Sequence, residues 1–161
     1  MPILSNLTLT EPPIVKAGML IRRPPAVVFN AFIHPEITKN FWFTNGSATL
    51  EQGMQVEWTW EMYGFSVQVD VKEIEHDERI LVEWGTPEDR TSIEWTFTPH
   101  ENHSTYVSIT NFGFKGDADS VVAKALDSCG GFTTVLDGAK AWLEHGINLH
   151  LILDKFPKAP Q

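Results

Sequence analysis

GFTTVLDGAKAWLEHG, residues 131–146, is the stretch whose reading decides the fold. Its apolar residues are Phe132, Val135, Leu136, Ala139, Trp142 and Leu143. These are the i, i+3, i+4, i+7 steps of one helix face, with Thr133, Asp137, Lys140 and Glu144 on the other, solvent-facing side. Gly130-Gly131 is a start signal and Gly146 a stop. Burying side chains of this size is worth about 1.5–3 kcal/mol each. The helix therefore needs an apolar surface to lie on, and the residues before it read as strands able to supply one.

Those strands announce themselves by alternation. Val15, Ala17, Met19 and Ile21 share one face of a strand over 15–22. The clearest case is 54–62, where Met54, Val56, Trp58, Trp60 and Met62 oppose Gln55, Glu57, Thr59 and Glu61. One side of such a strand is buried and the other wet. Phe65, Val67, Val69 and Val71 repeat the pattern; so do Ile80, Val82 and Trp84, then Ile93, Trp95 and Phe97, and finally Thr105, Val107 and Ile109. A further short strand is expected over 47–50, after a turn at Asn45-Gly46. Short turns at 51–53, Gly64, 76–78 and 99–102, and a loop at 85–89, join six or seven strands into an antiparallel meander. Between the first strand and the meander, Pro24-Pro25 opens one short helix and Pro35-Glu36 a second.

Asp117 or Asp119 can cap a helix starting near Ala118, with Val121, Val122, Ala125, Leu126 and Cys129 as its apolar face. Gly130-Gly131 is read as a break between this shorter helix and the long one. The tail INLHLILDKFP, 147–157, fits a helix or a packed strap equally. The expected architecture is α+β: a curved antiparallel sheet of six or seven strands wrapped around a long C-terminal helix. With 161 residues and no internal repeat, one domain over 1–161 is expected, with residues 1–13 as a loose lead-in.

Composition narrows the function. The net charge of −9 argues against nucleic acid and against an anionic membrane surface as partner, since both require clustered cations. No run approaches the roughly 20 apolar residues of a membrane span. Cys129 is the one cysteine, so no intrachain disulfide forms and a cytoplasmic setting is expected; the thiol itself is read as buried and inert. His100 and His103 form an HxxH, but in a turn and with no third ligand nearby in sequence. His145 and His150 are five apart and do not share a helix face. No histidine pairs recognisably with a nucleophile. Glu57, Glu61, Asp70 and Glu94 fall on the polar strand faces, so no catalytic residue, metal or cofactor is expected. The unusual feature is six Trp with ten Phe, a density that implies a wide interior either filled or lined by rings. The ligand-binding candidates are Trp58, Trp60, Trp84 and Trp95 on strands, and Phe132, Leu136 and Trp142 on the helix. Trp42 and Phe43 are placed near a mouth, with Asn111 and Tyr106 as polar contacts should they face inward.

The order of elements resembles the START-like, SRPBCC helix-grip superfamily. Within it the chain is similar to bacterial homologues of the C-terminal domain of the activator of heat-shock-protein-90 ATPase. Three segments carry this: IRRPPAVVFNAF at 21–32, HPE through FWF over 34–43, and KAWLEHG at 140–146. The resemblance spans about residues 14–156. It implies a hydrophobic cavity and, among the family's members, binding of lipid or aromatic ligands, polyketide cyclisation, or a cochaperone role in the stress response. The expectation is a protein that binds a small hydrophobic or aromatic molecule between sheet and helix. A chaperone partner and a cyclase-like or aromatase-like enzyme are the alternatives.

Overall fold

The structure is a computed structural model and describes residues 8–158. The chain runs β1 (Val15–Ile21), α1 (Pro25–Ile33), α2 (Pro35–Thr38), β2 (Asn45–Gly46), β3 (Gln55–Trp60), β4 (Phe65–Glu75), β5 (Arg79–Trp84), β6 (Thr91–His100), β7 (Ser104–Phe112), α3 (Ala118–His145) and α4 (Leu151–Lys155). The expected lead-in falls partly on residues 1–7, outside the described residues, while 8–14 carry no regular secondary structure.

All seven strands form one antiparallel sheet in the order β1-β7-β6-β5-β4-β3-β2. Strands β2 to β7 follow one another as a meander, and β1 joins beside β7, with Val15 opposite Asn111 and Ile21 opposite Thr105. The predicted alternation is present strand by strand: Val56, Trp58 and Trp60 are buried on β3, Ile93, Trp95 and Phe97 on β6. A bulge between Val71 and Glu73 shifts the β4–β5 register and adds bend to the sheet's ordinary twist. The outer face carries ion pairs instead of a second layer. Arg79 joins Glu73 and Glu94, and Arg90 joins Asp70 and Glu83.

Two expected strands differ. Asn45-Gly46 is not a turn but strand β2, paired with Trp58 and Thr59, and 47–50 is not a strand. Leu50 is buried and its N–H bonds to the Ile33 carbonyl, so this segment packs on α1 rather than on the sheet. Strand β3 ends at Trp60, and Glu61–Tyr63 forms a 3-10 turn closed by Gly64 at φ 60°.

The largest correction concerns α3. One continuous helix of 28 residues, about 42 Å long at 1.5 Å per residue, replaces the two expected. Gly130 and Gly131 both keep negative φ and lie inside it. Adjacent glycines weaken a helix but do not break it when packing on both sides holds the axis. Asp117 caps the start by accepting from the Ser120 N–H at 2.8 Å, and Gly146 ends it at φ 64°. The expected apolar face of the N-terminal half is also redrawn. Val121 is buried, but Leu126 is 71% exposed and Cys129 is exposed rather than buried. Glu144, expected to face solvent, is nearly enclosed. It accepts from the Arg22 N–H at 2.9 Å and from Lys140 Nζ at 2.6 Å, tying the end of α3 to the end of β1.

Gly138 brings α3 close to the segment after α2. A Cβ built there would sit 3.1 Å from Phe41 Cβ and 3.3 Å from the Phe41 carbonyl. On that side the interior is solid: Phe29 meets Phe97 at 5.5 Å, and Phe32 meets Phe41 at 5.4 Å. Among the described residues no helix is long and apolar enough to cross a membrane.

Candidate functional site

Away from α1 the sheet and α3 part, and a cavity of about 660 Å³ lies between them. β3, β4 and β5 supply Trp60, Val67 and Trp84; α3 supplies Phe132 and Val135 from the face that periodicity predicts. Trp42 holds this wall together, at 4.9 Å from Trp58, 6.0 Å from Trp84 and 5.8 Å from Phe132 between ring centroids.

Of the nine sequence candidates, Trp42, Trp60, Trp84 and Phe132 line this cavity. Trp58, Phe43, Trp95 and Leu136 stand behind the wall as filled core, each at most 2% exposed. Phe43 stacks on Trp58 at 5.2 Å, which takes it out of the expected mouth. Trp142 is half-buried against the core, outside the cavity lining. Asn111 faces inward and lines the cavity, but Tyr106 is 46% exposed on the outer face, its hydroxyl lying across Gly18. Thr105, Val107, Ile109 and Asn111 share the inner parity of β7, so Tyr106 had to point out.

The mouth is built by residues the sequence left unassigned. The tail after Gly146 turns back as α4, and Ile152 and Phe156 reach the cavity. Tyr63 latches this strap: its hydroxyl lies 2.7 Å from the Phe156 carbonyl and 3.2 Å from that of Ile152. Phe65, 55% exposed, completes the rim. Amphipathic spacing in 147–157 was the available signal, but it does not say on what a short helix docks.

The opposite end is polar. Asn111 Nδ2 donates to Thr91 Oγ1 at 3.0 Å and to the Ser92 carbonyl at 2.8 Å, and Ser128 Oγ donates to Asn111 Oδ1 at 2.7 Å. Trp84 Nε1 also donates to Thr91 Oγ1, at 3.0 Å. At the rim, Lys124 Nζ binds Asp89 Oδ1 at 2.8 Å and the Lys115 carbonyl at 2.9 Å, beside an exposed Asp127. His100 ends β6, and His103 sits in the following turn at φ 55°, both exposed and remote from the cavity. Among the described residues no group of three His, Cys, Asp or Glu is placed to hold a metal ion.

An apolar chamber with a few neutral hydrogen-bonding groups at one end is the usual form of a small-molecule site. Comparison with known proteins places the chain in a family. A family model described as Activator of Hsp90 ATPase homolog 1-like protein matches residues 22–144. Among solved structures, protein SSP2350 from Staphylococcus saprophyticus is 28% identical, with a TM-score of 0.75, over 85% of this chain and 96% of its own. The Aha1 dimer from Colwellia psychrerythraea is 16% identical with a TM-score of 0.72, over 83% of this chain and 98% of its own. DynU16, from the dynemicin biosynthetic locus, is 16% identical with a TM-score of 0.73, over 84% of this chain and 48% of its own. The last two likenesses are of fold. No curated protein matches the chain.

Proposed function

Because this chain belongs to the Activator of Hsp90 ATPase homolog 1-like family, within the SRPBCC helix-grip superfamily, we propose that it binds a small hydrophobic or aromatic molecule between the sheet and α3. The observation that carries the reading is the cavity itself: about 660 Å³, walled by Trp42, Trp60, Trp84 and Phe132. A packed core of this composition would have closed that space, because interiors pack to the density of organic crystals. An aromatic ligand burying roughly 200 Å² gains about 5 kcal/mol at 25 cal/mol per Å². Part of that gain is offset by the freedom the ligand loses on binding, so buried area alone does not set the affinity.

The polar groups in the wall favour binding over proton chemistry. Thr91, Asn111 and Ser128 are neutral hydrogen-bonding groups, Asp89 and Asp127 are exposed at the rim, and the Tyr63 hydroxyl is engaged with α4. The cochaperone reading rests on the family's name and on the likeness in fold to the Aha1 dimer. It is tested by adding the protein to a heat-shock-protein-90 ATPase assay, where stimulation of turnover supports it and an unchanged rate removes it.

The test of ligand binding is titration with uncharged N-phenyl-1-naphthylamine, read as energy transfer from tryptophan. Saturable one-to-one transfer, lost in Gly131→Leu, is expected, since that side chain enters the open space facing Gly131. Transfer that never saturates, or that survives Gly131→Leu unchanged, refutes the site. Native mass spectrometry with solvent extraction of the purified protein then identifies what the cell supplies.

A further inference from the structure

At the polar end of the cavity, a count of donors and acceptors leaves one donor unspent. Asn111 is 2% exposed, and its amide has a single allowed orientation, because the Ser92 carbonyl 2.8 Å from Nδ2 can only accept. The second Nδ2 proton goes to Thr91 Oγ1 at 3.0 Å. The indole nitrogen of Trp84, a donor and nothing else, reaches the same oxygen at 3.0 Å. A hydroxyl has two lone pairs and one proton. Both lone pairs of Thr91 are taken, and among the described residues its proton has no acceptor. Ser128 is in the complementary state. Its proton is committed to Asn111 Oδ1 at 2.7 Å, so its lone pairs are open.

Both hydroxyls line the cavity. Trp84 and Asn111 thus hold Thr91 as a group that can donate but not accept. The surrounding charges choose among oxygen acceptors. The Lys124 ammonium is spent on Asp89 and on the Lys115 carbonyl, and the carboxylate of Asp127 stands on the same rim. An anionic oxygen meets net negative charge there, whereas a neutral carbonyl does not.

Resting on the reading of this cavity as a ligand site, we infer that its ligand is a neutral aromatic molecule bearing a carbonyl oxygen, of the aryl ketone or quinone type. The oxygen accepts the Thr91 proton, and the apolar body lies over Trp84 and Phe132 toward Trp60. A hydroxyl or N–H next to that carbonyl would find its acceptor in Ser128.

The experiment uses two probes of nearly the same shape. 2-Acetylnaphthalene carries the carbonyl, and 2-isopropenylnaphthalene has a CH₂ in place of the oxygen. Both are titrated by tryptophan quenching into the wild-type protein, Thr91→Val and Thr91→Ser. The expected result is that Thr91→Val weakens the ketone by about 3- to 10-fold, the worth of one net hydrogen bond, while the alkene changes by less than about 2-fold. Thr91→Ser should keep the wild-type ratio. Equal weakening of both probes in Thr91→Val overturns the inference and leaves the cavity reading standing. Failure of both probes to bind the wild type overturns the cavity reading and the inference with it. Should Thr91→Val not fold, isotope-edited infrared spectroscopy of carbonyl-labelled 2-acetylnaphthalene on the wild-type protein decides. A carbonyl stretch below its value in hydrocarbon solvent is expected, and a stretch at the hydrocarbon value refutes the contact.

Discussion

Replacing Gly131 by alanine should make the protein more stable. Gly131 lies in the interior of α3 at negative φ, and a Cβ built on it meets nothing within 4 Å. No steric cost opposes the change, so the helix propensity difference between glycine and alanine acts alone, at about 0.8–1 kcal/mol. For a chain of 161 residues this raises Tm by roughly 2–4 °C. Gly138→Ala is the internal control, because the same propensity gain is opposed there. Its new methyl would stand 3.1 Å from Phe41 Cβ and 3.3 Å from the Phe41 carbonyl, and one of those contacts is backbone. Overpacking of this kind costs about 1–3 kcal/mol, so Gly138→Ala should melt lower than the wild type. Urea unfolding followed by far-UV circular dichroism, with thermal melts alongside, measures both. The refuting result is a loss of stability in Gly131→Ala. It would mean that residue 131 needs a conformation alanine resists, so that the helix breaks at the glycine pair, or that the space beside it is filled.

Three other outcomes follow from particular contacts. Burial alone would raise the Glu144 carboxyl, but the Lys140 ammonium and the Arg22 N–H outweigh it and hold it below its ordinary value of 4.5. Its stabilisation is therefore full above that ordinary value and is lost as pH falls through the lower folded one. Glu144→Gln should cost about 1–2 kcal/mol at pH 7 in urea unfolding, and the difference from wild type should shrink below pH 4.5; a pH-independent difference would contradict the ion pair. Tyr63→Phe removes the latch on the carbonyls of Ile152 and Phe156, so amide exchange over residues 151–156 should quicken by about 5- to 10-fold, with exchange in β6 unchanged. Cys129 is exposed, so Ellman's reagent should titrate one thiol in the native protein at nearly the rate seen in denaturant, whereas a slow native reaction would restore the buried thiol expected from sequence.

The parts of the fold that were legible in sequence are those governed by a single period. Alternation gave the inner faces of β3 to β7, but Asn111 and Tyr106 were both left conditional on facing inward, and the structure separates them by strand parity, Asn111 in and Tyr106 out. The 3.6 period gave the buried face of α3 from Phe132 to Ala139. What alternation cannot give is depth. Trp58 and Trp60 share a face of one strand, yet Trp60 looks into the cavity and Trp58 packs behind it, because Phe43 stacks on Trp58 and Trp42 closes over it. That difference comes from sheet curvature and from which loop folds over which ring, neither of which leaves a local signal. Glycine was misread for a related reason. Gly130-Gly131 satisfies the local rule for a helix end, and only the packing of both halves against the sheet keeps the helix running through it.

The division of labour within the sheet explains why such a cavity can persist in a marginally stable protein. Solid packing is concentrated under α1, where Phe29, Phe32, Phe41 and Phe97 meet edge to face and Ile80 and Ile93 are fully buried. That half supplies the dispersion and burial that the cavity half forgoes. Around the cavity, order is maintained by directional contacts instead: the Asn111 network at one end and the Tyr63 latch at the other. Hydrogen bonds hold walls apart at fixed distances, which apolar packing cannot do without filling the space between them. The polar groups that brace the cavity are thus the ones the proposed ligand would meet: Thr91 is spent as an acceptor on Trp84 and Asn111, which leaves its proton for the carbonyl we infer.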